Sequence, residues 1–167
     1  MRIALLLALI ALPAARLSAQ QHGPEHTAHH GPMTAEQKEV LAVVERLFQG
    51  MRTKDSAMMR STLAPEVRLM GVASRNGQLQ LATADVNRWL AGAASAAEGW
   101  DERLVEPEVR VDDKIAMVWT GYTFHTGATF RHCGYDAIQL ARTVDGWKIV
   151  HIMDTQRPDR CPGGASR

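Results

Sequence analysis

The sequence lacks the short motifs that usually betray an enzyme's chemistry. It has no G-x-G-x-x-G, no G-x-x-x-x-G-K-[ST], no G-x-S-x-G and no H-E-x-x-H. That removes the motif-based case for dinucleotide binding, nucleotide binding, serine hydrolysis and zinc proteolysis. No charge of one sign dominates either. The 167 residues carry 19 Lys+Arg against 18 Asp+Glu, so nothing marks nucleic acid or an anionic membrane surface as a partner. There are only two cysteines, without C-x-x-C spacing, which leaves no redox motif. Long apolar runs are absent: the longest, Ile3 to Leu12, has ten residues, and a bilayer span needs about 20. What remains, 46% hydrophobic and 22% charged residues, is ordinary globular composition. It excludes a disordered, collagen-like or coiled-coil protein, and the length fits one domain.

The short apolar run has a recognisable context. Met1-Arg2 precedes it, Pro13 stops it, and Ala14 to Gln20 is rich in small residues, with Ala19 a plausible last residue before a cut. This is the three-part pattern of a secretory signal peptide. Residues 1–19 are therefore read as a signal, and the mature protein as exported, periplasmic or secreted. No cysteine follows the run to carry a lipid, so no membrane attachment is expected after cleavage. Residues 20–33 are polar, with Gly23, Pro24, Gly31 and Pro32, and read as a flexible leader. Four of the seven histidines, His22, His26, His29 and His30, lie there. Such a tract either binds Cu, Ni or Zn through neutral imidazoles or is simply a solvated linker.

Export also bears on the thiols. Cys133 and Cys161 are 28 positions apart, and an oxidising compartment favours a disulfide between them; two free thiols are the alternative.

From Thr34 the pattern is helical. Thr34 stands three residues before Gln37, the spacing of a capping box. Val40, Val44, Leu47, Phe48 and Met51 then form one apolar stripe. Asp55 caps a short second helix with Met58, Met59 and Leu63, closed by Pro65. Val67 to Gly71 alternates like a short strand, and Asn76-Gly77 is a turn leading to Leu79–Leu81. Thr83 is expected to cap a third helix with Val86, Trp89, Leu90 and Ala93 on its inner side. Beyond Arg103 the period changes to two. Strands are expected over 103–111, 114–125, 128–142 and 147–155, joined at Asp112-Asp113, Thr126-Gly127 and Asp145-Gly146. Helices followed by a long antiparallel meander imply an α+β fold with the helices on one face of the sheet.

Those loops set a register. One face then collects Ile115, Met117, Trp119, Gly121, Thr123 and His125, with Phe130, His132, Gly134, Asp136, Ile138 and Leu140. Trp147, Ile149, His151, Met153 and Thr155 complete it. The other face holds Tyr122, Phe124, Arg131, Cys133, Tyr135, Gln139, Lys148 and Asp154. In this register Gly121 opposes His132 and Asp136 opposes Thr155, close enough for a cross-strand hydrogen bond. His132 and Asp136 are four apart on one strand, about 13 Å at 3.3 Å per residue, so they flank a ligand rather than bond to each other.

The stretches "VWTGYTFHTG" and "HCGYDAIQLARTVDGWKIVHIMDTQRPDRC", behind a capped helical N-terminus, resemble the nuclear transport factor 2-like cone fold. Within it they resemble the exported subset of the putative lumazine-binding family, relatives of the SnoaL-like polyketide cyclases. The resemblance spans residues 34–161, with 162–167 left as a tail. It implies three N-terminal helices packed on a curved antiparallel sheet, an apolar pocket at the open end of the cone, and a homodimer through the sheet. Asp136 and His132 are the candidate catalytic pair, by their position in the pocket. Trp119, Gly121, Trp89, His151 and Thr155 are expected to contact ligand. Two functions follow: an exported binding module for a small apolar or amphipathic molecule, or a lyase or isomerase that needs no cofactor and uses Asp136 as base and His132 as acid or polariser. A satisfied buried carboxylate is the plainer reading of Asp136, and packing that of His151.

Overall fold

The computed structural model describes residues 31–164. The expected signal, residues 1–19, and His22, His26, His29 and His30 lie outside the described residues.

Helix α1 (Ala35–Thr53) starts where the capping box places it. The Thr34 N–H donates to Gln37 Oε1 at 2.8 Å, and the Gln37 N–H donates back to Thr34 Oγ1 at 3.2 Å. Its stripe Val40, Val44, Leu47, Phe48 and Met51 is buried, as an amphipathic helix on a sheet requires. It stops at Lys54, which takes the left-handed conformation. Helix α2 (Ser56–Thr62) is capped by Asp55, whose carboxylate accepts from the Met58 N–H at 2.8 Å. It ends at Thr62, and Leu63 and Pro65 belong instead to strand β1 (Leu63–Arg75). Pro65 falls in a gap in the pairing, between Leu63 and Arg68, where its missing N–H costs no ladder bond. The Asn76-Gly77 turn, with both residues at positive φ, leads into β2 (Gln78–Ala84). Helix α3 (Val86–Ser95) is capped by Asp85 and not by Thr83; Thr83 stays in β2.

Four long strands follow: β3 (Trp100–Asp112), β4 (Ile115–Thr126), β5 (Thr129–Thr143) and β6 (Gly146–Thr155). The sheet order is β2-β1-β6-β5-β4-β3. All neighbours are antiparallel except β1 and β6, which run parallel. The fold is α+β, three helices on a curved six-stranded sheet. Among the described residues no helix is long and apolar enough to cross a membrane.

The two hairpins differ from the expected register, and the difference decides which side chains face inward. The β4–β5 loop is Gly127-Ala128, so Thr126 pairs with Thr129. A bulge then leaves Arg131 unpaired, after which Phe124 faces His132, Tyr122 faces Gly134 and Thr120 faces Asp136. The β5–β6 loop is Val144-Asp145, pairing Thr143 with Gly146, and a second bulge at Val150 brings Asp136 opposite Asp154. Each bulge inserts one residue, and one residue moves every later side chain to the opposite face. On β4 the inward set is therefore Ala116, Val118, Thr120, Tyr122 and Phe124, not Ile115 to His125. On β6 it is Trp147 and Ile149 before the bulge, and Ile152 and Asp154 after it.

The core lies where α1 crosses this face: Val44, Leu47, Val118, Ile138 and Ile149 have no solvent exposure. On the opposite face Cys133 and Cys161 form a disulfide. It holds the C-terminal segment against β5, with Cys133 and Arg157 exchanging backbone hydrogen bonds at 3.0 and 2.9 Å. Closing a loop of 28 residues stabilises the fold by about 3–4 kcal/mol in the chain-entropy treatment.

Candidate functional site

Beyond the solid core, towards the β1–β2 hairpin, the same inner face opens into a cavity of about 590 Å³. Leu47, Phe48 and Met51 of α1 reach it from the helical layer, and Trp89 from α3. Leu69 to Gly71 and Ala82 to Ala84 of the β1–β2 hairpin form one side; Trp100, Phe124 and Ile152 line the sheet. These walls are apolar. Into them the sheet projects three carboxyl groups, Glu102 from β3, Asp136 from β5 and Asp154 from β6.

Register explains their convergence. Thr120, Asp136, Asp154 and Gly71 form one cross-strand row, and Glu102, Phe124 and His132 another. Gly134 lies between His132 and Asp136. A side chain on Gly134 would collide with the Thr155 carbonyl and meet the Tyr122 ring. A Cβ on Gly71 would sit 2.6 Å from Asp154 Oδ1. Gly134 is thus a place where backbone approaches too closely for any side chain, whereas at Gly71 the Asp154 carboxylate occupies the space and would have to move aside.

Low dielectric shifts the protonation of these groups. Asp136 is 2% exposed, and burial pushes its carboxyl up to about 7, helped by the negative charge of Asp154 and opposed by its contact with Glu102. Glu102 is held well above the usual carboxylate range, first by burial, then by the charge of and contact with Asp136, then by Asp154. Asp136 shares a hydrogen bond with the Glu102 carboxyl, and among the described residues no other group serves its buried Oδ2. Tyr122 is nearly inaccessible, and burial followed by the three acids drives its phenol far upward, so it stays protonated. Its hydroxyl donates to the Thr155 carbonyl at 3.0 Å and lies 3.4 Å from Asp154 Oδ2. Asp154 Oδ2 also accepts from Gln156 Nε2 at 2.9 Å. His132 lies against Phe124, ring centroids 4.8 Å apart; burial lowers its pKa, against the pull of Asp154, so the imidazole is neutral at pH 7.

Of the residues expected to form the site, Asp136, His132 and Trp89 line the cavity. His132 and Asp136 are brought to one hollow without a bond between them. Trp119, Gly121, His151 and Thr155 do not line it. The bulge at Arg131 turns Trp119 outward, where it is 43% exposed and stacked on Tyr135 at 5.4 Å. Gly121 opposes Tyr135 rather than His132 and is covered by Pro162. The bulge at Val150 takes His151 off the inner face; it opposes Gln139 and its Nε2 is buried without a partner. Thr155 opposes no Asp136; its hydroxyl accepts from the Tyr135 N–H at 3.1 Å. Tyr122, Arg131 and Asp154, expected on the outer face, line the cavity, and so does Glu102, which lies outside the expected strand. The alternation Trp100, Glu102, Leu104 was the available signal for Glu102, since it extends β3 backward by three residues. Among the described residues no three of His, Cys, Asp and Glu stand close enough to ligate one metal ion.

Comparison with known proteins agrees with this fold. Residues 35–153 match the profile of a family described as "Putative lumazine-binding". A nuclear transport factor 2-like protein of unknown function from Shewanella baltica superposes with a TM-score of 0.58 at 13% identity, over 77% of this chain and 100% of that one. A protein named a putative ketosteroid isomerase, from Shewanella frigidimarina, gives 0.54 at 16% identity, over 72% and 97%. One named a putative dehydratase, from Streptomyces avermitilis, gives 0.55 at 15%, over 73% and 96%. At such identities these likenesses establish the fold alone. No curated protein matches the sequence.

Proposed function

This chain belongs to the putative lumazine-binding family of the nuclear transport factor 2-like fold, and from that premise we propose that it is an exported protein that binds a small, mainly apolar molecule in the cone pocket. The carrying observation is the 590 Å³ cavity, apolar on its walls and polar at one cluster, the build of a site that takes a molecule with one hydrogen-bonding end. Export is supported by the N-terminal signal pattern and by the Cys133–Cys161 disulfide. The outer face of the sheet exposes Ile115, Trp119 and Met153, and that face is where a second copy pairs. Native mass spectrometry of protein purified from its own exported fraction tests the reading. A retained small molecule is expected, and its absence together with no binding of apolar probes contradicts it.

Asp136 favours a second reading, proton transfer without a cofactor. A buried carboxyl that lines the cavity and has a pKa of about 7 exchanges a proton in either direction near neutrality. In this reading Asp136 takes a proton from a carbon next to a carbonyl and returns it at another position, with the neutral His132 polarising the carbonyl. Asp136→Asn separates the two readings: turnover of a candidate substrate is lost if Asp136 moves the proton and unchanged if the pocket only binds.

A further inference from the structure

The cavity's acids have no cation. Among the described residues no Lys, Arg or His forms a salt bridge with Glu102, Asp136 or Asp154. The one strongly basic side chain on the lining, Arg131, is exposed and its Nε is engaged by Thr126 Oγ1 at 2.7 Å. His132 is neutral. Buried charges are ordinarily paired or metal-bound. Metal does not fit this cluster, because no three such ligands stand close enough to hold one ion.

A second observation points to an occupant. Asp136 lines the cavity at 2% exposure, and among the described residues no donor other than the Glu102 carboxyl, with which it shares a hydrogen bond, serves its buried Oδ2. Two carboxyls that face each other out of water need either a proton between them or a donor from outside. The rings of Trp89, Trp100, Tyr122 and Phe124 line the same cavity, surfaces that favour a cation as well as an apolar body.

We infer that the ligand's polar end is a protonated amine, so that the pocket selects an amphipathic organic cation. The ammonium group sits among Glu102, Asp136 and Asp154, and the apolar body lies against Trp89, Trp100 and Phe124. In the empty pocket, protons limit the charge of the acid cluster; in the occupied one the ammonium takes over that role. The inference rests on the binding reading above and is independent of proton transfer.

Isothermal titration of the mature protein at pH 7 with three probes of one shape tests it: 2-(1-naphthyl)ethylamine, 2-(1-naphthyl)ethanol and 1-naphthylacetate. The amine is expected to bind at least about tenfold more tightly than the alcohol, with the carboxylate weakest. Glu102→Gln and Asp136→Asn, each checked for folding by circular dichroism, are both expected to bring the amine-to-alcohol ratio close to one. An alcohol that binds as tightly as the amine overturns the cation and leaves the binding pocket standing. A ratio unchanged in both variants removes the acid cluster as its cause and overturns the inference equally. Binding of none of the three removes the pocket reading, and this inference with it.

Discussion

Strands β4, β5 and β6 present the same inner face twice, and the two ends of it are built in opposite ways. At the end under α1 the inward side chains are Val118, Ile138, Leu140 and Ile149, all at 0–1% exposure and packed against Val44 and Leu47. Within a few residues along the same strands the inward positions become Thr120, Tyr122, His132, Asp136 and Asp154. Burial persists across the boundary: Tyr122 and Asp136 are as inaccessible as the aliphatic residues. What changes is packing. The first end is filled and contributes stability, since each fully buried aliphatic side chain is worth about 1.5–3 kcal/mol. The second end holds a cavity and a facing pair of carboxyls, Glu102 and Asp136, whose pKa burial raises. Such a site is tolerated only because its neighbour is solid.

The largest expected effect comes from the packed end. Ile138→Ala, at a site with no exposure, is expected to lower stability by about 3–4 kcal/mol in urea denaturation. A loss below about 1 kcal/mol would show that the core is not where the stability lies. From the polar side, the sign reverses with pH. Asp136 keeps its proton in the folded chain up to about 7, whereas the unfolded chain releases it near 4. Between those values the folded state binds more protons, so stability falls as pH rises through that window and levels off above it. Glu102, raised for the same cause, acts in the same direction. Asp136→Asn removes one of these titrations. It is expected to match the natural chain near pH 4 and to exceed it at pH 8, by an amount bounded by about 4 kcal/mol. Thermal melts across that range check it, and parallel curves for the two proteins would contradict it.

Smaller effects sharpen the boundary. Gly71→Ala places a methyl where Asp154 Oδ1 now sits. It is expected to cost about 1–3 kcal/mol and to weaken probe binding, because the carboxylate must move. Trp119→Ser, on the outer face, is expected to change probe affinity by less than about twofold while weakening self-association in sedimentation. A large affinity loss there would mean that the outer face communicates with the pocket.

Much of this arrangement was legible in the chain. The capping box at Thr34, the stripe from Val40 to Met51 and the period change after residue 100 depend on local spacing, which a sequence states directly. So did the presence of Asp136, His132 and Trp89 on one side of the fold. The bulges were not legible. Nothing in the residues near Arg131 or Val150 announces an extra residue, and each bulge alters every facing assignment beyond it. That is why Trp119 and His151 were expected inside, and Tyr122 and Asp154 outside. Glu102 escaped for a different reason, since its strand begins three residues before the period is obvious. Loop chemistry also misled by a single step: Gly127 and Gly146 both take positive φ, but one opens its loop and the other closes it.

Burial in the apolar hollow raises the pKa of Asp136 to about 7 and holds that of Glu102 well above the usual carboxylate range. Carbon-13 NMR titration of the Asp and Glu side-chain carboxyls tests it most directly, with Asp136 assigned by its loss in Asp136→Asn. Asp136 is expected to titrate near 7, and Glu102 well above ordinary carboxylates. A spectrum in which every carboxyl titrates between about 3 and 5 would contradict it.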